Sequence, residues 1–355
     1  MIHISLLIIA AAVFTVNYLI TGWFIGYARK NQITDIPTDR SSHTRPTPRG
    51  GGVGFVITSI IAIILYLFIY GFLITTGLVV FILAAIAIAF LGWLDDRHNL
   101  SRSVRFVVQV AASIAVLIYV GNLEVIKVPM LFEVYIGLAG FIMGVIFIAG
   151  ITNIYNFMDG VDGIASVQLF GVCSGWMLLS WLWNEPLLFG INLLLFIAVL
   201  AFLIYNWSPA KVFMGDAGSL YLGFFCASMP FLAAYQSETL EIQETIWYGA
   251  ILLWPFLFDG TFTVFRRLFN GENIFKAHRS HLYQRLNIVG VSHSKISLLY
   301  LIFSALMIAF VLLFTFSNDF YKLLLIIVLI LLSLVYALVV TKFETQERFH
   351  GMRRD

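Results

Sequence analysis

The sequence predicts an all-α polytopic membrane protein of about 11 transmembrane helices, and three observations carry that prediction. The first is composition. Of 355 residues, 61% are hydrophobic and 11% charged, with a mean hydropathy of +0.95; a soluble domain has roughly 45–50% apolar and 25% charged residues. No water-soluble fold hides that much apolar surface, and a disordered chain is poor in aromatics and rich in charge. The second is periodic length. Apolar stretches at about 2–27, 52–70, 72–94, 104–121, 134–152, 163–183, 187–206, 218–235, 244–264, 296–316 and 321–341 match the ~20 helical residues that cross a ~30 Å hydrocarbon core. The third is charge placement. All of the 21 Lys and Arg except Lys127 and Lys322 fall in the odd-numbered loops or the C-terminal tail. Basic residues stay inside during insertion, so the N-terminus is expected outside and the C-terminus inside, and dropping one span would scramble the pattern. The first stretch is expected to stay as a span, because no positive residue precedes it and basic residues follow it.

The chain reads as one domain, 1–355, with inner loops at about 28–51, 95–103, 153–162, 207–217 and 265–295. Nucleic-acid binding is not expected from a net charge of +2 without a dominant basic run, and Cys173 and Cys226 sit in apolar stretches that suggest neither a disulfide nor a thiolate metal site. In the first inner loop, Asp35, Pro37, Arg40, His43 and Arg45 precede Pro46, Pro48 and a Gly50-Gly51-Gly52 run. The prolines fix an extended backbone, and the glycines allow the next helix to start close to neighbours. The second inner loop pairs Asp95 with Asp96, whose mutual repulsion calls for a divalent cation or a neighbouring basic group. The bland alternative is a solvated helix end. The third holds Asn153, Asn156, Asp159 and Asp162 without any Lys or Arg; the three-residue spacing places each like pair on one face wherever the segment is helical, and capping turns are the alternative. The fourth sets Asp216 between Gly215 and Gly218, close before a span, where it serves either as a metal ligand or as an ordinary helix cap. The fifth carries Arg266, Arg267, Lys276, His278, Arg279, His281 and Arg285, a set suited to phosphate oxygens. A zinc site at His278 and His281 lacks an evident third ligand.

The polar chemistry is therefore on one membrane face, whereas a transporter would place ionisable groups at mid-membrane in broken helices. Carboxylates able to hold Mg²⁺, beside a basic loop able to hold phosphates, suit metal-dependent phosphoryl transfer onto a lipid. A phospholipid synthase using CDP-alcohols would also place Asp pairs there, but Asp159 to Asp162 lacks the Ala-Arg that such a motif needs.

Taken together, Asp95-Asp96, the run Asn156-Phe157-Met158-Asp159-Gly160-Val161-Asp162-Gly163 and Gly215-Asp216-Ala217-Gly218-Ser219 resemble the polyprenyl-phosphate N-acetylhexosamine-1-phosphate transferases, the family of bacterial WecA and MraY. The resemblance extends from Asp35 to Arg285, and eleven spans fit its WecA-like branch. It implies an enzyme of the bacterial inner membrane, N-terminus periplasmic and C-terminus cytoplasmic. There undecaprenyl phosphate attacks the β-phosphate of a UDP-sugar and UMP leaves. Magnesium is the implied cofactor, with manganese as a substitute, and membrane lipids surround the enzyme; a homodimer is left open. By match to the family pattern, Asp95, Asp96 and Asp216 are catalytic, with Asp216 and Asp95 on the metal. Asn156, Asp159, Gly160, Asp162, Asn206, Phe213, His278, Arg279 and His281 fall at the nucleotide-sugar site, with Phe213 on the uracil. Arg45, Asp96 and Arg105 fall near the lipid phosphate, and Asp35, Arg40 and His43 match the first-loop pattern. The run His278-Arg279-Ser280-His281 departs from the three consecutive histidines of the peptidoglycan-precursor branch. It is closer to WbpL-like transferases, which start O-antigen from UDP-N-acetylated 6-deoxyhexoses. The alternatives are the phospho-MurNAc-pentapeptide transferase of the same family and a transporter of nucleotide or lipid-linked sugars.

Overall fold

The computed structural model describes residues 4–37, 45–273 and 278–351. Arg40, His43 and Lys276 lie outside the described residues. Among the described residues, ten helices are long and apolar enough to cross a membrane. Seven of them run in sequence as α1 (Ile4–Lys30), α2 (Gly52–Tyr70), α3 (Thr76–His98), α4 (Arg102–Val120), α5 (Leu138–Met158), α6 (Ile164–Leu182) and α7 (Pro186–Asn206). An eighth, α8 (Asp216–Gln236), follows; after the pair α9 (Ile242–Leu252) and α10 (Trp254–Phe269) and the short α11 (Leu282–Ile288) come α12 (His293–Phe316) and α13 (Asp319–Gly351). The single stretch expected at 244–264 is instead α9 and α10, bent by 79°. Pro255 stands in the first turn of α10, where proline is tolerated at a helix start but cannot continue an existing hydrogen-bond ladder. Beyond the bend the helix is amphipathic: Asp259, Thr263 and Arg267 are buried while Phe265 and Phe269 are exposed.

Local chemistry sets the ends. Ser101 accepts from the Val104 amide at 3.3 Å to start α4, satisfying one of the amides a helix start leaves open. Asn99 closes α3 in the left-handed region, φ 47°, a conformation asparagine tolerates better than most residues. Two short hairpins flank the bundle at opposite ends: β1 (Thr34–Asp35) with β2 (Thr47–Pro48), and β3 (Val125–Val128) with β4 (Phe132–Tyr135).

Helix α8 is the axis. Nearly every residue from Ala217 to Ala233 is buried, and α3 and α5 lie along it. A side chain on Gly92 of α3 would run into the backbone of Asp216 and Ala217, so α3 and the first turn of α8 are in backbone contact there. In a bilayer such close approach supplies the packing that drives helices together, since lipid tails are as apolar as the side chains. The contact also brings the end of α3 to the start of α8 at the same end of the bundle.

Candidate active site

At that end, segments from separate hairpins surround a cavity of about 290 Å³. Asp35 and Arg49 come from the α1–α2 loop, Asn156 to Asp162 from the end of α5, Asn206 and Phe213 to Asp216 from the α7–α8 loop, and Arg279, Gln284 and Asn287 from the α10–α11 region. The α1–α2 and α7–α8 loops are laced by backbone: the Phe213 amide donates to the Pro48 carbonyl at 2.7 Å, Gly51 to Phe213 at 3.0 Å and Gly52 to Met214 at 2.8 Å.

The aspartates divide into distinct roles. Asp96 receives the Asp216 amide on one oxygen at 3.0 Å and the Ala217 amide on the other at 3.2 Å. It therefore caps α8 from another helix, where the open amides and the helix dipole favour a negative charge. Asp216 does not cap its own helix; the preceding Gly215, at φ 77°, adopts a conformation that a side chain disfavours and turns the chain so that Asp216 lines the cavity. One Asp216 oxygen accepts from Asn156 Nδ2 at 3.0 Å and the other meets the Arg49 guanidinium at 3.2 Å. The same guanidinium lies 3.0 Å from Asp96. The ordinary-cap reading of Asp216 thus fails, and that role belongs to Asp96.

Asp95 is buried, with one oxygen on the Leu100 amide at 2.8 Å and the other on Arg105 at 2.6 Å. Arg105 pairs with it and the Asp216 carboxylate lies in contact on its other side, and neither Asp95 nor Asp96 lines the cavity. Asp159 does. Its carboxylate accepts no hydrogen bond among the described residues, and burial, reinforced by the charge of Asp216, holds its pKa well above the ordinary carboxylate value despite Arg49 nearby. Arg49 itself loses some basicity to burial, but Asp216 and Asp96 outweigh that and raise its pKa.

The three-residue spacing holds on the helix for the Asn pair, though its two members find different partners, and fails for the Asp pair. Asn153 hydrogen-bonds Gln109 while Asn156 turns to Asp216 and Ser219. Helix α5 ends at Met158, so Asp159 and Asp162 lie in a turn. Asp162 touches the cavity but is engaged with the Ala210 amide at 3.1 Å and His293 at 3.2 Å; burial alone would raise its pKa, and the His293 contact reverses this and lowers it. Asn206 bridges the Gly163 amide and the Val212 carbonyl, joining two loops as it lines the cavity. Gly160 leaves room for Tyr283, which donates to the Phe157 carbonyl at 2.8 Å.

In the α10–α11 region only Arg279 of the three predicted residues lines the cavity. His278 contacts Ser280 at 2.8 Å, and burial with the neighbouring His281 pushes its pKa down to about 4, so it is neutral near pH 7. His281 is buried against Asp259 at 3.3 Å. Asp259 also takes the Leu282 and Tyr283 amides and the Tyr300 hydroxyl at 2.7 Å; it anchors the segment that presents Arg279. Arg45 is exposed and is not among the residues lining the cavity, whereas Arg49 of the same loop is. Among the described residues no group of three His, Cys, Asp or Glu is arranged to enclose a metal.

Sequence reasoning missed Arg49, Ser219, Asp259, Gln284, Asn287 and His293. Arg49 had a signal, its position directly before the glycine run; Asp259 had one too, as a carboxylate well inside a predicted span.

Comparison with known proteins places this architecture. The profile of glycosyl transferase family 4 matches residues 78–234. Over 262 residues the chain is 34% identical to a probable undecaprenyl-phosphate N-acetylglucosaminyl 1-phosphate transferase of Bacillus subtilis, covering 73% of this chain and 71% of that protein. The chain belongs to the polyprenyl-phosphate N-acetylhexosamine-1-phosphate transferases. Within this transferase family it is also 27% identical to a decaprenyl-phosphate N-acetylglucosaminephosphotransferase of Mycobacterium leprae, over 84% of this chain and 80% of that one. A phospho-N-acetylmuramoyl-pentapeptide-transferase of Streptococcus pneumoniae is 30% identical over 62% of this chain and 70% of its own length. The matched profile runs from α3 to α8, so it takes in the α3–α8 contact, Asp96 and Asp216, and leaves out the segments bearing Arg49 and Arg279.

Proposed function

We propose that this transferase moves an N-acetylhexosamine 1-phosphate, or its 6-deoxy counterpart, from a UDP-sugar to undecaprenyl phosphate at the cytoplasmic face of the bacterial inner membrane. UMP is released, and the product opens an O-antigen or related envelope glycan. The observation that carries the reading is the convergence of Asp159, Asp216, Arg49 and Arg279 from four separate segments around one cavity.

In the reaction an oxygen of the lipid phosphate forms a bond to the β-phosphorus while the bond from that phosphorus to the bridging oxygen breaks, and UMP departs with the oxygen. Arg279 and Arg49 supply charge-assisted hydrogen bonds to phosphate oxygens. Asn156 fixes the orientation of Asp216, and Phe213 offers an aromatic face to the base. The residues suit Mg²⁺, which takes oxygen ligands, needs only one or two protein carboxylates and draws the rest from phosphates and water; Asp216 and Asp159 would hold it. When bound it would neutralise the diphosphate. Asp95 and Asp96 are engaged by Arg105, Arg49, backbone amides and, for Asp95, the Asp216 carboxylate, which supports direct attack by the lipid phosphate over a covalent aspartyl intermediate and gives this pair a positioning role.

The test is a panel of UDP-HexNAc donors, UDP-MurNAc-pentapeptide included, with undecaprenyl phosphate and Mg²⁺, scored by UMP release. Turnover of UDP-HexNAc but not the pentapeptide donor is expected, since the α10–α11 segment lacks consecutive histidines. Asp216→Asn is expected to lose about 100-fold or more, at or beyond the roughly 10–100-fold lost when a residue that merely supports a metal ligand is removed. Near-normal turnover of that variant would remove Asp216 from the metal.

A further inference from the structure

Arg49 is held in an unusual way. Its backbone is fixed by the lacing of the α1–α2 loop onto Phe213 and Met214, while its side chain reaches over the cavity and remains 38% exposed. The guanidinium touches two carboxylates at once, Asp96 at 3.0 Å and Asp216 at 3.2 Å. Those contacts are not equal in consequence. Asp96 keeps two backbone amides if Arg49 leaves. Asp216 keeps Asn156 on its other oxygen and, beside it, the like-charged Asp95 carboxylate, so among the described residues no second cation replaces Arg49 there.

We infer that Arg49 is an exchangeable counter-cation: it occupies the Asp216 oxygen before substrate arrives, competes there with a divalent ion, and turns to the diphosphate when ion and nucleotide sugar enter together. The inference rests on the metal reading proposed above. The physical basis is short. A divalent ion brought to the Asp216 oxygen that Arg49 already faces meets the guanidinium charge at close range, and the two repel. Released from Asp216, the guanidinium remains tethered beside the cavity, where phosphate oxygens match its fork of donors better than a single carboxylate does. Coupling is then reciprocal: nucleotide sugar tightens metal binding by giving Arg49 a new partner, and metal tightens nucleotide-sugar binding by the same factor. A guanidinium that is only structural would leave just the coupling that the ion's own neutralisation of the diphosphate supplies, unchanged when Arg49 is replaced.

The experiment measures Mn²⁺ binding to the full-length protein in detergent by electron paramagnetic resonance, without and with UDP-GlcNAc, for the wild type, Arg49→Gln and Arg49→Lys, each with its melting temperature. In the wild type UDP-GlcNAc should tighten Mn²⁺ binding by about tenfold or more, in the range of ordinary coupling. In Arg49→Gln, Mn²⁺ alone should bind several-fold tighter than in the wild type, and the tightening by UDP-GlcNAc should shrink. Arg49→Lys keeps the charge but lacks the fork that spans both carboxylates. It should fall between the two, and it carries the test if the glutamine variant does not fold. Mn²⁺ affinity in the folded variants equal to or weaker than wild type would overturn the inference while leaving the metal reading standing. Absence of Mn²⁺ binding to the wild type, with or without UDP-GlcNAc, would overturn both.

Discussion

At the scale of single residues, identity and position separate function from support. Phe213 and Asp162 both touch the cavity, yet they are expected to fail differently. Phe213→Ala removes only an aromatic face. Base stacking on an aromatic side chain is worth roughly 1–3 kcal/mol, so KM for the UDP-sugar should rise by about tenfold while KM for the lipid stays put; a change confined to the lipid would move Phe213 out of the nucleotide pocket. Asp162→Ala strips the Ala210 amide of its acceptor and removes the carboxylate beside His293, and should lower stability by about 2 kcal/mol. The pH sign follows from the depressed pKa of Asp162. A carboxylate with a folded-state pKa below its unfolded value of about 3.9 contributes fully above that value and loses its contribution as pH falls through the folded pKa. Melting curves in detergent should therefore separate wild type from variant at neutral pH and draw together below about pH 4. The residue types in the Asp and Asn motifs were legible from the sequence because clustered carboxylates without local counter-ions demand partners. Which oxygen meets which donor was not legible, since Asp96, Arg49 and Asp216 lie far apart in the chain and their pairing exists only once α3, α8 and two loops pack.

At the scale of elements, the α3–α8 contact is what turns sequence motifs into a site. Gly92 lies one turn before Asp96, and a methyl group there would press on the Asp216 carbonyl and the Ala217 Cα. Overpacking of this kind costs about 1–3 kcal/mol, and here it would also pry Asp96 from the amides of α8. Gly92→Ala is expected to lower both the melting temperature and turnover. Loss of stability with full activity would show that the two helices can separate without disturbing the cap. Most helices were legible as apolar stretches with turn residues at their ends. The ninth was read as one straight span, because hydropathy averages over a window and does not register a 79° change of direction. The buried Asp259 inside it was the physical clue. A carboxylate in a predicted span needs partners, and it finds them in His281, Tyr300 and the amides of α11. That network also explains why histidines expected at the phosphates serve to hold the segment that carries Arg279.

At the scale of the whole molecule, the two ends of the bundle differ in kind. One end gathers Asp35, Asp96, Asp159, Asp216, Arg49 and Arg279; the other ends in the β3–β4 hairpin, whose tip residues Met130, Leu131 and Phe132 are exposed and apolar. Helix α1 runs from the second end toward Asp35 at the first, and α13 returns to the first, where Glu344 pairs with Arg285. The start of α1 and the end of α13 thus sit at opposite ends, as an odd number of crossings among the described helices requires once α9 and α10 count as one. Only the sign of the orientation is then left to the basic residues, and their concentration at the site end predicts that this end faces the cytoplasm. The chain is suited to a labelling test because both native cysteines, Cys173 and Cys226, are buried and should stay silent. Lys211 is exposed in the α7–α8 loop and Glu133 is exposed on β4. A membrane-impermeant thiol reagent should therefore modify Glu133→Cys in intact cells and Lys211→Cys only after the membrane is opened. The reverse pattern would put the cavity on the outer face, away from any cytoplasmic nucleotide sugar, and would contradict the proposed reaction together with the charge rule that orients it.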